Sequence, residues 1–359
     1  MDAFTHALMG AHAAHLGTRP DARLSPRTRL LLGGVAAAFP DVDFIGFLVD
    51  PLRFLAYWHQ GPTHSLLLLP LWALLIAAAY CAATRRWRAF GEAVAVCGAG
   101  LATHLVLDLL TVYGTQLLYP LSSTRVSLRT TFVIDPLFTA VIAISLAAAL
   151  HRGDRRIAAA GLLLLVAYVG GQWLLRLQAL RVAGEAARAQ IIEPGPVAAL
   201  PQPFSPFNWK LVATQASGLR VAHLNLIGHP ALVPRLPGLA SLHAIAQAYE
   251  PPDRLAWERR SLFGDEPQLR TLAESLWRRP DFAAFRHFAV YPALSRIDDG
   301  DGRRCVWFTD LRYDLPALPD TFRYGHCQVP PGAPWRLFRL RYFTEHGLEP
   351  LTRSGSAKP

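Results

Sequence analysis

Lysine is almost missing from this sequence and occurs only at Lys210 and Lys358. Nearly all of the formal net charge of +10 therefore comes from arginine. Nucleic-acid binding is one explanation for such a charge. The long apolar runs favour another, a membrane protein whose arginine-rich loops lie on the cytoplasmic side. We therefore expect no nucleic-acid partner.

Cysteine is also scarce, with four residues and no CxxC spacing, which argues against a zinc knuckle. Cys81 and Cys97 lie inside apolar runs and are expected to be core residues. Cys305 and Cys327 lie in the more polar half. They can form a disulfide if that half lies outside the cytoplasm, because disulfides persist only in oxidising compartments.

Two further features are missing. The first residues have no basic segment and no small-residue cleavage site, so we expect no cleaved signal peptide. The sequence shows no inverted repeat with broken helices in matching positions, which a secondary transporter would be expected to have. A transporter is therefore a weaker interpretation than a membrane enzyme.

Long apolar runs dominate the first half of the chain and predict an all-α membrane domain over residues 1–180. Two short helices come first, at 3–17 and 30–39, and the second is too short to span a bilayer alone. We expect about four long transmembrane helices to follow, at 66–83, 93–110, 132–150 and 157–175.

The second half, residues 190–359, reads as a small soluble α+β domain after a proline-rich linker. Runs rich in Val, Phe, Trp and Tyr predict strands of an antiparallel sheet. They lie at 207–214, 220–227, 285–291, 303–311 and 335–342, and an amphipathic helix is predicted at 266–278.

The stretch THLVLD places His104 and Asp108 four residues apart inside an apolar run. Residues at this spacing share one face of a helix. An imidazole and a carboxylate in a membrane-buried segment are costly unless they pair with each other or bind a metal. The sequence leaves both explanations open.

The charges of the loops predict that other polar residues lie at the same membrane face as His104 and Asp108. Basic loops at 18–29, 85–88 and 151–156 mark the cytoplasmic side. We therefore expect the soluble domain to follow the last helix on the opposite, periplasmic side. The candidate metal ligands all fall at that opposite side: His6, Asp41, Asp43, His64, His104 and Asp108.

Mixed imidazole and carboxylate ligands suit zinc, manganese or iron, and this set is large enough for two ions. Asp41 or Asp43 would act as a bridging ligand or general base in the hydrolysis of a substrate by metal-activated water. His6 has a simpler explanation as a solvated or capping residue. Asp43 and Asp135 have one as helix N-caps, the latter followed by Pro136.

Other residues near this face are candidates for supporting roles. A threonine precedes a histidine at 5–6, 63–64 and 103–104, and its hydroxyl is a candidate partner for the imidazole. The expected supporting or substrate-binding residues are His59, Asp135, Arg125 and Arg129, the arginines as phosphate ligands.

Six motifs occur in a fixed order: THALMG (5–10), FPDVD (39–43), HQGPTHS (59–65), THLVLD (103–108), YG (113–114) and IDPLF (134–138). Over residues 1–180 this pattern resembles the YdjM-like family of bacterial inner-membrane proteins, called membrane-bound metal-dependent hydrolases. The usual family wording is H-R-G-x-T-H-S, and Gln60 replaces the arginine here.

The resemblance implies a metal site. The family is distantly similar to the zinc phospholipase C and P1 nuclease enzymes, whose ligand series is His, Asp, His and HxxxD. His6, an aspartate of FPDVD, His64 and the pair His104 and Asp108 would fill those places. Those enzymes also use an N-terminal Trp amine and a later HxxxE pair. This chain starts Met1-Asp2 and has no such pair, so Asp135 is the substitute and two ions are expected.

The resulting expectation is a multi-pass inner-membrane hydrolase with a divalent-metal centre, zinc being favoured over manganese and iron. Its substrate would be a small molecule or lipid, most simply a phosphoester. The alternative is a non-enzymatic membrane scaffold or transporter with a structural metal or a buried polar cluster.

Overall fold

The computed structural model describes residues 1–228, 240–300, 302–342, 344 and 347–351. The chain divides into two compact units. The first comprises Met1–Val49, Trp58–Arg176 and Pro201–Pro206, and the second Asp50–Tyr57, Leu177–Leu200 and Phe207–Pro359. The larger segments follow the predicted domains 1–180 and 190–359, but the second unit also takes residues 50–57 from the amino-terminal half.

The amino-terminal half is helical. Asp2 caps the first helix by accepting a hydrogen bond from the Thr5 amide. A 3-10 helix, Phe39–Leu48, extends the second helix, and a short one at Pro62–His64 precedes the fourth. The α-helices are α1 (Ala3–Leu16), α2 (Pro26–Ala38), α3 (Pro51–Arg53), α4 (Leu69–Thr84), α5 (Phe90–Leu110), α6 (Pro136–Arg152) and α7 (Arg155–Arg188).

In the described part of the chain, three segments are long and apolar enough to cross a membrane: Pro26–Leu48, Trp87–Leu110 and Arg155–Arg188. A fourth exists if Pro51–His64 and α4, which are bent by 72° from each other, form one span. α6 has only 17 residues. The second helix was expected to be too short to span a bilayer alone, whereas in the structure the segment Pro26–Leu48 is long enough. Pro40 ends the α-helical ladder, but the chain continues as a 3-10 helix and reaches spanning length.

Three glycines hold α1, α2 and α5 close together. A Cβ added to Gly10 would lie 2.3 Å from the Gly33 carbonyl oxygen, and one added to Gly100 would lie 2.5 Å from the same atom. Only glycine permits such an approach, as in membrane helix pairs with small residues at the contact. His6, Ala37 and His104 each lie one helical turn from one of these glycines. The glycine contact therefore brings these three residues together at one end of the helices.

The described residues of the second unit include the strands β1 (Val197–Pro201), β2 (Asn208–Gln215), β3 (Gly218–Asn225), β4 (Glu258–Arg260), β5 (Pro292–Gly300), β6 (Arg303–Asp310), β7 (Tyr324–Gln328), β8 (Arg336–Leu340) and β9 (Leu348–Pro350). These strands form two sheets, one of order β1-β2-β3-β4 and one of order β5-β6-β7-β8-β9. The antiparallel neighbours include β2 with β3 and β5 through β9 in sequence. Helices α8 (Ala240–Gln247), α9 (Pro267–Trp277) and α10 (Ala283–Phe288) lie between β3 and β5 in the chain.

The predicted α+β composition is present, with two sheets instead of one. The predicted strand at 285–291 is wrong, because its first half is α10. Phe282, Phe285 and Phe288 are buried and recur every three residues, which is helical spacing. The aromatic content had favoured a strand, but the spacing of the buried rings decides for a helix.

Cys305 and Cys327 face each other across β6 and β7 and form a disulfide. Cys81 and Cys97 are free and buried, as expected of core residues. The pairing that the sequence left open is therefore present in the structure.

Candidate metal centre

Four segments of the first unit bring polar side chains to one end of its helices. α1 supplies His6, and α5 supplies His104 and Asp108 from its buried face. The 3-10 segments supply Asp41 and His64. These five residues form what we call the candidate metal centre. The charge pattern of the loops had predicted that they would meet.

Asp108 lies at the middle of the centre. Its Oδ1 is 3.2 Å from His6 Nε2, and its Oδ2 is 3.3 Å from His64 Nε2 and 3.2 Å from His104 Nε2. All four side chains are at most 2% exposed. Although these distances are short, none of the three Nε2 atoms makes a hydrogen bond within the described residues. A purely structural hydrogen-bonded pair of His104 and Asp108 does not fit this arrangement.

The opposite ring nitrogens of His104 and His64 are held by protein groups, whereas Nδ1 of His6 has no hydrogen bond among the described residues. His104 Nδ1 lies 2.6 Å from the Ala37 carbonyl oxygen, which can only accept, so Nδ1 carries the proton. His64 Nδ1 lies 2.9 Å from the Thr63 hydroxyl oxygen. A proton fixed on Nδ1 leaves the Nε2 lone pair of His104 available. This is how metal-binding histidines are usually oriented.

The donor spacing fits a small divalent ion. With bonds of about 2.0–2.1 Å, two ligands of a tetrahedral zinc ion are about 3.3–3.4 Å apart. The contacts of Asp108 to the three Nε2 atoms, at 3.2–3.3 Å, match this spacing. Asp41 Oδ1 is slightly farther, at 3.7 Å from His64 Nε2 and 3.8 Å from His104 Nε2. Buried nitrogen atoms without partners at ligand spacing are what a metal would satisfy.

The donors fall into two overlapping groups that could each hold an ion: His6, His104 and Asp108, and Asp41, His64 and His104. The two oxygens of Asp108 point to different groups, Oδ1 to His6 and Oδ2 to His64 and His104. A carboxylate in this position could contact both ions of a two-metal site. The sequence favours Asp41 or Asp43 for that role, whereas the structure places Asp108 between the two groups of donors.

Asp43 has a different position from Asp41. Both of its carboxylate oxygens lie 3.2 Å from His59 Nδ1, and Oδ2 also accepts a hydrogen bond from the Gln60 amide. It is 3.7 Å from His64 Nδ1, the nitrogen on the far side from Asp108. Asp43 therefore holds His59 and the loop before His64. Asp43 is not among the two groups of donors at ligand spacing, and its predicted role as a ligand stays a prediction.

Of the predicted supporting residues, Arg125 donates to the carbonyl oxygens of His59 and Gly114, and its guanidinium lies 5.1 Å from the Tyr113 ring centroid. These contacts hold the His59 loop in place. Arg129 is partly buried and has a positive φ of 55°. The structure gives neither arginine a separate phosphate-binding geometry.

Asp135 caps α6, with Pro136 in the first turn. Its oxygens accept hydrogen bonds from the Phe138 amide and, at 2.7 Å, from the Tyr168 hydroxyl. The N-cap explanation is therefore confirmed. The structure does not group Asp135 with the ligands, and the idea that it substitutes for a missing ligand has no support here.

Four contacts made by Gln60, Met1 and Ala37 were not predicted from the sequence. Gln60 donates to Asp108 Oδ2 at 3.0 Å and accepts from the Thr115 hydroxyl. The α-amino group of Met1 lies 2.6 Å from Asp108 Oδ1, and the Ala37 carbonyl oxygen holds His104. The repeated Thr-His dipeptide was a signal for only one such contact. Thr63 reaches its histidine, whereas Thr5 and Thr103 bond elsewhere.

The model of one protein family, described as YdjM inner membrane protein, matches residues 1–179. A search of curated proteins and a search of solved structures each found no match. The matched region contains all six predicted ligands, so the resemblance seen in the motifs is confirmed. The more distant similarity to zinc phospholipases and nucleases stays a prediction.

Proposed function

We propose that this chain, which belongs to the YdjM inner membrane protein family through residues 1–179, is a membrane-embedded, metal-dependent phosphoester hydrolase. The observation that carries the proposal is the group of three imidazole Nε2 atoms around Asp108, buried and without hydrogen-bond partners. Such a group is costly in a membrane protein unless it binds something.

The donor set suits two ions of unequal coordination. His64, His104, Asp41 and Asp108 Oδ2 would hold the first ion, and four such donors suit zinc. His6 and Asp108 Oδ1 would hold the second with fewer protein ligands, as is typical of catalytic sites. Zinc fits this mixture of imidazole and carboxylate, and manganese or iron would also accept it.

Bound ions of this kind activate water and polarise a phosphoryl oxygen. The protein's own groups would orient the reactants and move protons. Asp41, with a side chain 22% exposed, is the ligand that a substrate would meet first. His59, oriented through Nδ1 by Asp43, can transfer a proton at Nε2. The attack would require water at the centre and transfer of its proton to the leaving oxygen.

Metal analysis of the purified protein in detergent tests the proposal. We expect about two zinc, manganese or iron ions per chain, about one in His6→Ala and essentially none in His104→Ala. His12→Ala is the matched control, since His12 is also a buried histidine of α1 but bonds the Ala158 carbonyl oxygen. Equal metal content in the parent and His104→Ala would refute the metal centre.

Activity is tested separately with bis-p-nitrophenyl phosphate. We expect hydrolysis by the loaded parent and loss of activity in His6→Ala, which keeps the first ion. Metal binding without hydrolysis of any phosphoester would favour the alternative, a scaffold or transporter with a structural metal. The observation that favours this alternative is the near-complete burial of the candidate ligands, which a structural metal would also explain.

The disulfide supports an orientation with the carboxy-terminal domain in the periplasm, because a Cys305–Cys327 bond persists only in an oxidising compartment. The basic loops 18–29, 85–88 and 151–156 would then be cytoplasmic. Alkaline phosphatase fused after Gln190, beyond the end of α7, should be active. If instead a reporter that functions only in the cytoplasm is active when fused at the same position, this orientation is contradicted.

A further inference from the structure

The candidate metal centre is closed on most sides. The side chains of His6, His64 and His104 are 0% exposed, and that of Asp108 is 2% exposed. Asp41 is the exception at 22%. Because the other donors are sealed, the approach to the centre among the described residues passes Asp41. The chemistry of the neighbours of Asp41 therefore bears on what can enter.

Those neighbours are large, apolar and exposed. In the 3-10 helix that carries Asp41, the exposed fractions are 51% for Val42, 49% for Phe44, 65% for Ile45 and 84% for Leu48. We call these four residues the apolar rim. An exposed patch of this kind beside a catalytic opening would be unfavourable in water and marks a contact with lipid or another apolar partner.

The length of the segment favours lipid. The rim lies at the carboxy-terminal end of the candidate span Pro26–Leu48. In this span α2 contributes 13 residues and the following 3-10 helix contributes 10 residues. At rises of about 1.5 and 2.0 Å per residue this segment is about 40 Å long, against a hydrocarbon core of about 30 Å. With the basic start of α2 at one surface, the rim lies at the opposite boundary between acyl chains and headgroups. The phosphate of a membrane lipid lies at the same depth.

We propose that the substrate is a membrane phospholipid that enters laterally, with its acyl chains against the apolar rim and its phosphate at the Asp41 side of the centre. This inference rests on the proposed hydrolase function and adds the substrate class to it. Hydrolysis then forms a bond from the water oxygen to phosphorus and breaks the bond from phosphorus to the leaving alcohol oxygen. That oxygen takes the proton released by water.

A pair of phosphodiesters tests the substrate class: dioleoyl phosphatidylglycerol in mixed micelles and soluble bis-p-nitrophenyl phosphate. We expect kcat/KM to be at least tenfold higher for the lipid. Ile45→Asn should lower the lipid value at least fivefold and change the soluble value less than twofold, with metal content unaltered. Ile144→Asn is the matched control, since Ile144 on α6 is 69% exposed but is not part of the rim.

The outcomes separate the two proposals. Hydrolysis of the soluble diester alone, or an equal effect of Ile45→Asn on both substrates, overturns the lipid inference and leaves the hydrolase proposal standing. Hydrolysis of neither substrate by metal-loaded protein overturns both.

A spin label tests the rim without any activity measurement. Labelling at Ile45→Cys is selective, because Cys81 and Cys97 are buried and Cys305 and Cys327 are paired. In liposomes the label should be accessible to oxygen and shielded from a water-soluble nickel chelate, as at Ile144→Cys. Access to the chelate, as expected at the exposed Thr124→Cys, overturns the lipid contact. Shielding from both reagents would show that another protein surface covers the rim, and it would overturn the contact too.

Discussion

The two units of this protein each bury a group of charged side chains, and they satisfy them differently. In the second unit, Lys210 is 0% exposed and its Nζ donates to the Leu311 carbonyl oxygen at 2.8 Å and to the carboxylate of Asp314. Arg260 approaches Asp314 to 3.9 Å and pairs with Asp320. In the first unit, three buried imidazoles surround Asp108 and their Nε2 atoms have no hydrogen bond in the described structure.

This difference is the one expected between a structural network and a candidate binding site. A buried charge costs several kcal/mol unless its partners replace the lost water. The Lys210 network meets this cost with protein groups alone. In the centre around Asp108, the carboxylate contacts Met1 and Gln60, but the Nε2 atoms of the three imidazoles have no hydrogen bond among the described residues, as expected if they bind a ligand. Burial alone would not have distinguished the two groups.

The largest effect is expected when the Lys210 network of the second unit is broken. Lys210→Met should lower the free energy of unfolding by about 3–5 kcal/mol, because it leaves Asp314 buried without its closest cation. Urea unfolding followed by tryptophan fluorescence measures this, since Trp209 and Trp307 of this unit are fully buried. Metal content should not change. A loss of metal in this variant would contradict the separation of the two groups.

Asp108→Asn makes the converse test. Zinc affinity measured by titration of the metal-free protein should fall more than 100-fold, which corresponds to about 2.7 kcal/mol, because both oxygens of the Asp108 carboxylate face candidate ligands. Asp314→Asn is the matched control in the other group and should bind zinc as the parent does. An unchanged affinity in Asp108→Asn would remove Asp108 from the centre.

Acid should weaken the second unit through His223. Burial, together with repulsion from Lys210 and Arg260, lowers the pKa of His223 to about 3. The unfolded chain takes up a proton near pH 6.5 and the folded chain does not, so stability falls as the pH drops below 6.5. At about 1.4 kcal/mol per pH unit, the loss is about 2 kcal/mol between pH 6.5 and 5.

The same urea experiment at both pH values checks this contribution. His223→Gln should show a correspondingly smaller pH dependence than the parent. His287→Gln, at an exposed position of the same unit, should behave like the parent. Equal pH dependence in the parent and His223→Gln would show that His223 is not the group responsible.

A smaller effect is expected when the helices that carry the ligands are moved apart. The new methyl group of Gly100→Ala would lie 2.5 Å from the Gly33 carbonyl oxygen. We expect roughly tenfold weaker zinc binding and about 1–3 kcal/mol of destabilisation from overpacking. In the control Gly98→Ala, on the same helix, the nearest atom is 3.9 Å away. Similar affinities for the two variants would contradict the role of the glycine contact.

The smallest effect is expected from the Thr63 hydroxyl, which contacts both His64 and Asp43. Thr63→Val removes the hydroxyl that lies 2.9 Å from His64 Nδ1. Loss of such a partner typically weakens metal binding 10–100-fold, and we expect the lower end, because Asp43 is also near this nitrogen. Thr124→Val, in an exposed loop, should bind zinc normally. If the two variants do not differ, the threonine does not orient His64.

The meeting of the candidate ligands could be predicted from the sequence, because helix periodicity places His104 and Asp108 on one face and because loop charges indicate which ends of the helices meet. The different positions of Asp41 and Asp43 could not be predicted from the sequence. Two residues apart in a 3-10 helix, with three residues per turn, they point in directions about 120° apart. The sequence did not show that FPDVD is a 3-10 helix.

The partners that orient the ligands were harder still. The Ala37 carbonyl oxygen has no sequence signature. Gln60, whose side chain contacts Asp108, has a positive φ that brings it there. In the second unit, strands β2, β3, β6 and β8 were predicted by composition. The assignment of residues 50–57 to that unit was not, because it depends on tertiary contacts made with distant parts of the chain.

The position of that segment affects how the protein is made. Within the second unit, Tyr57 stacks on His287 of α10 at a centroid distance of 4.8 Å, and Phe54 and Leu55 are buried. At about 5–20 residues per second, the ribosome needs roughly 10–50 s to reach α10 after residue 57. During this interval Tyr57 lacks its ring contact with His287. The packing of residues 50–57 within the second unit can therefore be completed only after α10 has been translated.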